Sequence, residues 1–272
     1  MNRSFILPAL LLLMALQGQS QENPYYTQGY NYFKQQNFKE VVRWLTLSIK
    51  NEPGNRCKSY RIRGVSKVLL QDHIGANKDI DSAFMICPDD PDTWFSRGIV
   101  YYYEQEADLA IKDFTKAILL NPAKIDYYVN RAQAYALKND TANFKKDLYK
   151  AIETDSSGHQ AYFNLGVYYK NTGQYQAAIK MLENAFQKTK SIAVLIPLAF
   201  SKLKTNKYAE AAGLCTEAIK NALDPEQLSA LYSIRGEAFI GLHEKEKACS
   251  DFNALLQFDA KAGKEHLDKY CK

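Results

Sequence analysis

The stretch from Asp92 to Pro122 reads DTWFSRGIVYYYEQEADLAIKDFTKAILLNP. Its apolar residues recur at spacings of three and four, the period of amphipathic helices. The run divides into a first helix from about Asp92 to Tyr103 and a second from about Ala107 to Leu120. Gly98 and Ala110 are small, so the two helices are expected to pass close, backbone against backbone, with Trp94, Tyr101 and Phe114 filling the space around the contact. Pro122 ends the second helix, because it lacks an amide donor and disfavours helix in the residue before it. Pro53 and Pro88 mark the same stop.

The pattern recurs on both sides. Gly64, Gly98, Ala132 and Gly166 are each 34 residues apart. Tyr60, Trp94, Tyr128 and Tyr162 stand four before them; Ala76, Ala110, Phe144 and Ala178 stand 12 after, and Ala83, Ala117, Ala151 and Ala185 stand 19 after. Aligned on that small residue there are seven units, at Gly29, Gly64, Gly98, Ala132, Gly166, Ala199 and Gly236, with intervals of 35, 34, 34, 34, 33 and 37. The boundaries expected are 22–55, 57–90, 91–124, 125–158, 159–191, 192–225 and 229–260, with a capping helix over 261–272. The sixth unit departs furthest, with Lys202 where an aromatic is usual and Pro197 inside its first helix. A fixed period near 34 marks a stack of identical supersecondary units. Two helices alone bury too little to hold themselves together, so each unit leans on its neighbours.

These positions resemble the tetratricopeptide repeat family over Glu22 to Lys272. The resemblance implies an all-α superhelix of about seven antiparallel helix pairs plus a C-terminal cap. The first helix of each pair (helix A) would line a concave groove that binds peptides or helices of other proteins. Carried over residue by residue, the family's groove positions give Tyr26, Tyr30, Phe33, Arg61, Phe95, Ile99, Tyr102, Tyr103, Phe163, Lys170 and Phe200, with Asn130 and Asn164 beside them. Lys58, Val65, Val68, Val129, Val167 and Ile196 fall at such positions too. The surface so defined is aromatic with a few polar groups, and aromatic clusters of this kind mark contact surfaces. The family's Lys and Asn clamp for acidic C-terminal tails occurs in no unit, since Arg61 is followed by Val65.

Met1 to Ser20 has the form of a secretory leader: Arg3, an apolar run from Phe5 to Leu16, and the small residues Gly18 and Ser20 before Gln21. That run of 12 residues is too short to cross about 30 Å of hydrocarbon. No stable membrane span is expected once the leader is removed. Export makes disulfides possible. In an antiparallel pair, residues equidistant from the turn face each other. Cys57 and Cys87 each lie 15 residues from Asp72, and Cys249 and Cys271 each lie 11 from Ala260, so both pairs are in register to bond. Cys215 holds the place of Phe114 and Phe252 and is expected as a buried free thiol.

Chemistry is not written into this chain. The net charge of +5 falls to +4 without the leader, and basic and acidic residues are interspersed, which gives no footprint for nucleic acid. His73, His159, His243 and His266 stand in no metal-ligand spacing, and no phosphate-binding glycine loop occurs. The expectation is therefore no catalytic residue, no metal and no cofactor. The function expected is a non-enzymatic scaffold of a bacterial cell envelope or periplasm, with secretion as the second choice, binding a protein or peptide in the groove. A glycan or cell-wall-fragment module, or an accessory subunit of an envelope complex, is the alternative.

Overall fold

A computed structural model describes residues 24–222 and 224–272. The expected leader and the first two residues of the repeat region lie outside the described residues. The chain divides into two units, one ending at Pro122 and one beginning at Ala123.

The first unit holds α1 (Pro24–Lys34), α2 (Phe38–Asn51), α3 (Arg56–Leu69), α4 (His73–Ile86), α5 (Pro91–Tyr103) and α6 (Ala107–Leu120). The second holds α7 (Ile125–Leu137), α8 (Thr141–Thr154), α9 (His159–Asn171), α10 (Tyr175–Thr189), α11 (Ile192–Lys204), α12 (Tyr208–Ile219), α13 (Pro225–Gly241), α14 (Lys245–Leu255) and α15 (Ala260–Tyr270). No strand occurs among the described residues. Within each unit every A helix packs on its own B helix, and B helices pack on the next A helix. The A helices also touch one another, α1 to α3 to α5 in the first unit and α9 to α11 to α13 to α15 in the second.

Local chemistry sets the helix ends. Asn37, Asp72, Asp140 and Asp259 each accept a hydrogen bond from the amide three residues on, satisfying a donor the helix cannot. α2, α4 and α6 stop two residues short of Pro53, Pro88 and Pro122. α13 opens at Pro225 behind the cap Asp224, four residues ahead of the boundary at 229 that the spacing suggested. Pro197 does not interrupt α11, which runs through it. The A–B turn of all seven repeats passes through one left-handed residue: Gln36, Gln71, Gln105, Asn139, Gly173, Asn206 and His243.

The core repeats as strictly as the sequence. The residue 16 places after each small one is Leu45, Ile80, Phe114, Leu148, Leu182, Cys215 or Phe252, and each is fully buried. This placement corrects one detail of the sequence reading. A Cβ on Gly98 would lie 2.6 Å from Cε1 and 2.7 Å from Cδ1 of Phe114. Gly98 makes room for a ring of the partner helix, not for its backbone. Cys57 is bonded to Cys87, with Cα atoms 6.3 Å apart, and Cys249 to Cys271, at 5.9 Å. Cys215 is free and buried.

Candidate functional site

In the first unit the A-helix face begins with a ring stack, Tyr26 on Tyr30, with centroids 6.1 Å apart and planes 8° from parallel. The amides of Tyr25 and Tyr26 donate to the buried carboxylate of Glu52, which fixes the start of α1. Burial pushes the Tyr26 phenol above its ordinary pKa, and Tyr30 adds to the shift. Tyr102 and Tyr103 meet edge to face at 5.4 Å, and burial raises Tyr102 as well. Phe33 leans on Phe38 at 6.1 Å, and Phe95 on Phe114 at 5.6 Å. Tyr30 and Tyr103 are the exposed rings; Tyr26, Phe33, Phe95, Ile99 and Tyr102 are half-buried.

Arg61 does not present its charge to solvent. It is 7% exposed, its Nη1 lies 2.7 Å from Asp90 Oδ2, and its Nη2 lies 3.9 Å from Asp92. It joins α3 to the start of α5. Val65, Val68 and Val129 are buried too.

In the second unit a cleft of about 360 Å³ opens between α9, α11 and α13, lined by Val167, Lys170, Ile196, Pro197, Phe200, Ala230, Ser233 and Ile234. Val167, Lys170, Ile196 and Phe200 stood in the sequence-derived set. Phe163 packs instead on the core of the fifth repeat, Asn164 is half-buried, and Asn130 turns back to donate to the carbonyl of Asp126 at 2.8 Å. Ala230, Ser233 and Ile234 were not anticipated. Ala230 and Ser233 hold positions 2 and 5 of the seventh repeat, so the same count carried one unit further finds them. Lys170 Nζ stands 5.7 Å and Lys204 Nζ 5.2 Å from the Phe200 ring. Lys204 also reaches Glu237 at 3.8 Å, whereas Lys170 has no acidic partner among the described residues. The cleft is thus apolar, with an uncompensated cation at its edge.

A second periodic feature went unread in the sequence. Arg63, Arg97, Arg131 and Arg235 each grip an aspartate 16 residues on, respectively Asp79, Asp113, Asp147 and Asp251, through Nε and Nη2. These are two-pronged guanidinium–carboxylate bonds joining helix A to helix B of one repeat. The signal was available: an arginine directly before the small residue, and an aspartate 16 places later. The sixth repeat has neither. There Lys202 is 5% exposed, and its ammonium donates to Glu183 Oε1 and Glu210 Oε2, each at 2.6 Å.

Among the described residues one trio of ligand-type atoms comes together within 4.8 Å, from Cys57, Cys87 and Asp90. Its two sulfurs are bonded to each other, and Asp90 is committed to Arg61 and to capping α5. His73 opens α4, His243 holds a left-handed turn, and His266 lies 3.3 Å from Glu237. No described helix is long and apolar enough to cross a membrane.

An antiparallel helix pair repeated seven times, with a recessed apolar cleft between A helices of the second unit, defines an all-α helical-repeat protein. Family models described as "Tetratricopeptide repeat" match residues 91–124, 125–157 and 148–180, so that stretch consists of tetratricopeptide repeats. PilF of Pseudomonas aeruginosa is similar in structure, with a TM-score of 0.66, 15% identity and coverage of 79% of this chain and 98% of that one. YrrB, described as a tetratricopeptide repeat protein with an unusual peptide-binding site, gives 0.60, 16%, 70% and 97%. A chain of the Cut9–Hcn1 hetero-tetramer of the APC/C gives 0.61 and 17% over 92% of this chain; the chain spans about half (49%) of that relative. At such identities the likeness is one of fold. No curated protein matches the sequence.

Proposed function

We propose that this protein is a non-enzymatic scaffold that holds a partner protein or peptide on its A-helix face. The observation that carries this reading is the apolar cleft between α9, α11 and α13, with Lys170 at its edge. A recessed apolar surface with a few placed polar groups is what a protein segment needs for docking. The description of YrrB as having a peptide-binding site agrees with that use of the fold. Export to a bacterial envelope is part of the proposal. It rests on the leader-like Met1–Ser20 and on two disulfides, which persist in oxidising compartments.

The test is a photo-crosslinking amino acid placed in living cells at Ser233, in the cleft, and at Lys146, an exposed site on α8. A discrete adduct to one protein from Ser233 and none from Lys146 supports the reading. The same adducts from both sites end it. With the partner in hand, Phe200→Ala is expected to weaken binding by about 2 kcal/mol in a calorimetric titration, the usual loss for a buried aromatic anchor. For the envelope assignment, intact mass should give a chain starting at Gln21.

A further inference from the structure

The four Arg–Asp repeats show what one position of this fold ordinarily holds. In the third repeat the guanidinium of Arg97 lies 4.3 Å from the ring centroid of Phe84, a residue 20 places after the small residue of the preceding repeat. Only one other repeat puts a phenylalanine at that place: Phe186, 20 after Gly166. The repeat that follows it has lost both members of the pair. Leu198 stands where arginine is expected and Leu214 where aspartate is. Two short apolar side chains replace a guanidinium and a carboxylate, and a cleft of about 390 Å³ lies there, bordered by Phe186, Leu198, Leu214, Lys202, Glu183 and Glu210.

The carboxylates have come back from other positions. Glu183 on α10 and Glu210 on α12 are about half exposed, and each gives one oxygen to the buried ammonium of Lys202. Two carboxylates against one ammonium leave an uncompensated negative charge in the triad. Glu183 Oε2 has no partner among the described residues. Two further cations stand nearby, Lys190 at 5.3 Å from the Phe186 ring and Lys207 at 3.9 Å from Glu210. Both are solvent-facing lysines, weakly held because water screens them and their long stems keep their freedom. That Lys190 leans on Phe186 shows the ring face attracting positive charge.

We propose that this cleft is a socket for an arginine side chain of a partner protein. The guanidinium stacks on Phe186 and donates to Glu183 and Glu210. An arginine fits better than a lysine, because only its planar fork can cover a ring and reach two carboxylates together. The socket lies on the face of α11 that carries Leu198 and Lys202, apart from Ile196 and Phe200, so it stands or falls independently of the cleft on the A-helix face.

The test is an NMR titration of the full mature protein, following Phe186 and the Leu198 and Leu214 methyl groups. The probes are N-acetyl-arginine amide, its lysine counterpart and the uncharged citrulline counterpart. The expected result is saturable shifts with the arginine probe, binding about tenfold weaker with lysine, and none with citrulline. The double variant Leu198→Arg/Leu214→Asp rebuilds the pair that four other repeats carry. It should keep the parent circular dichroism spectrum and lose the arginine shifts. A milder variant, Phe186→Leu, keeps the apolar packing and should weaken the arginine probe selectively. No shift with any probe, equal shifts with arginine and citrulline, or full binding by the refilled double variant would each overturn the proposal.

Discussion

At the scale of single residues, the fold tolerates two solutions to one packing problem. Arg131 donates to Asp147 at 2.7 and 2.8 Å, with both side chains mostly buried. The fifth repeat puts Leu165 and Met181 at those two places, and the sixth puts Leu198 and Leu214. Removing one partner of a buried pair strands a charge, whereas replacing both with apolar groups is close to neutral. Asp147→Ala is therefore expected to lower unfolding free energy by about 3–5 kcal/mol. The double variant Arg131→Leu/Asp147→Leu should stay within about 1 kcal/mol of the parent in a urea titration. A double variant as unstable as the single one would mean that the ion pair itself is required.

Two titratable groups give further tests at this scale. Burial pushes the Cys215 thiol up to about 12, so almost no thiolate exists at neutral pH. The folded protein should react with no thiol reagent, and the unfolded, unreduced chain should show one thiol; five would mean that neither disulfide forms. The Glu210 carboxyl is held below its ordinary value of 4.5, first by the hydrogen bond from Lys202. The folded state therefore binds this proton less readily than the unfolded chain does. The stability involved is present above the unfolded value and is lost as pH falls through the folded one. Glu210→Gln should flatten that acid limb of a stability-against-pH curve while leaving its slope near pH 7 unchanged.

At the scale of elements, the A–B turn shows what a periodic sequence conceals. Seven turns pass through the left-handed region, and only one of them uses glycine, Gly173. An L-residue there costs about 1–2 kcal/mol, while glycine gives back about 0.5–1 kcal/mol in chain entropy. Gln105→Gly should therefore raise stability by up to about 1 kcal/mol in thermal melts. Asn139, Gly173 and Asn206 carry a turn signal, but Gln36, Gln71 and Gln105 carry none, which is why the seven did not read as one periodic position although they keep the repeat interval. The small residues were loud by comparison. Gly98→Leu has to displace the buried Phe114 ring, and overpacking of this kind costs about 1–3 kcal/mol or more. A circular dichroism melt unchanged by it would refute the helix phase. The helices themselves were legible because apolar spacing and proline stops act locally. The burial of Arg61 and Lys202 was not, because it depends on Asp90, the cap of the next A helix, and on Glu183 of the preceding repeat.

At the scale of the whole molecule, a stack of repeats has an end to protect. Each repeat is held by its neighbours, so the last one is the first to open unless something covers it. Here α15 does so: Phe252 is flanked by His266 at 4.7 Å and Tyr270 at 5.7 Å, while Cys249 ties α14 to the residue after α15. The bond closes a loop of 22 residues, worth about 3 kcal/mol in the chain-entropy account. Cys249→Ser/Cys271→Ser should accordingly lower the opening free energy of α13 to α15 by about that amount. Protection from native-state hydrogen exchange should fall in those helices and stay unchanged in α1 to α6, because coupling in a repeat array passes only between neighbours. A uniform loss of protection from α1 to α15 would instead show that the chain unfolds as one cooperative body, with the disulfide acting on all of it at once.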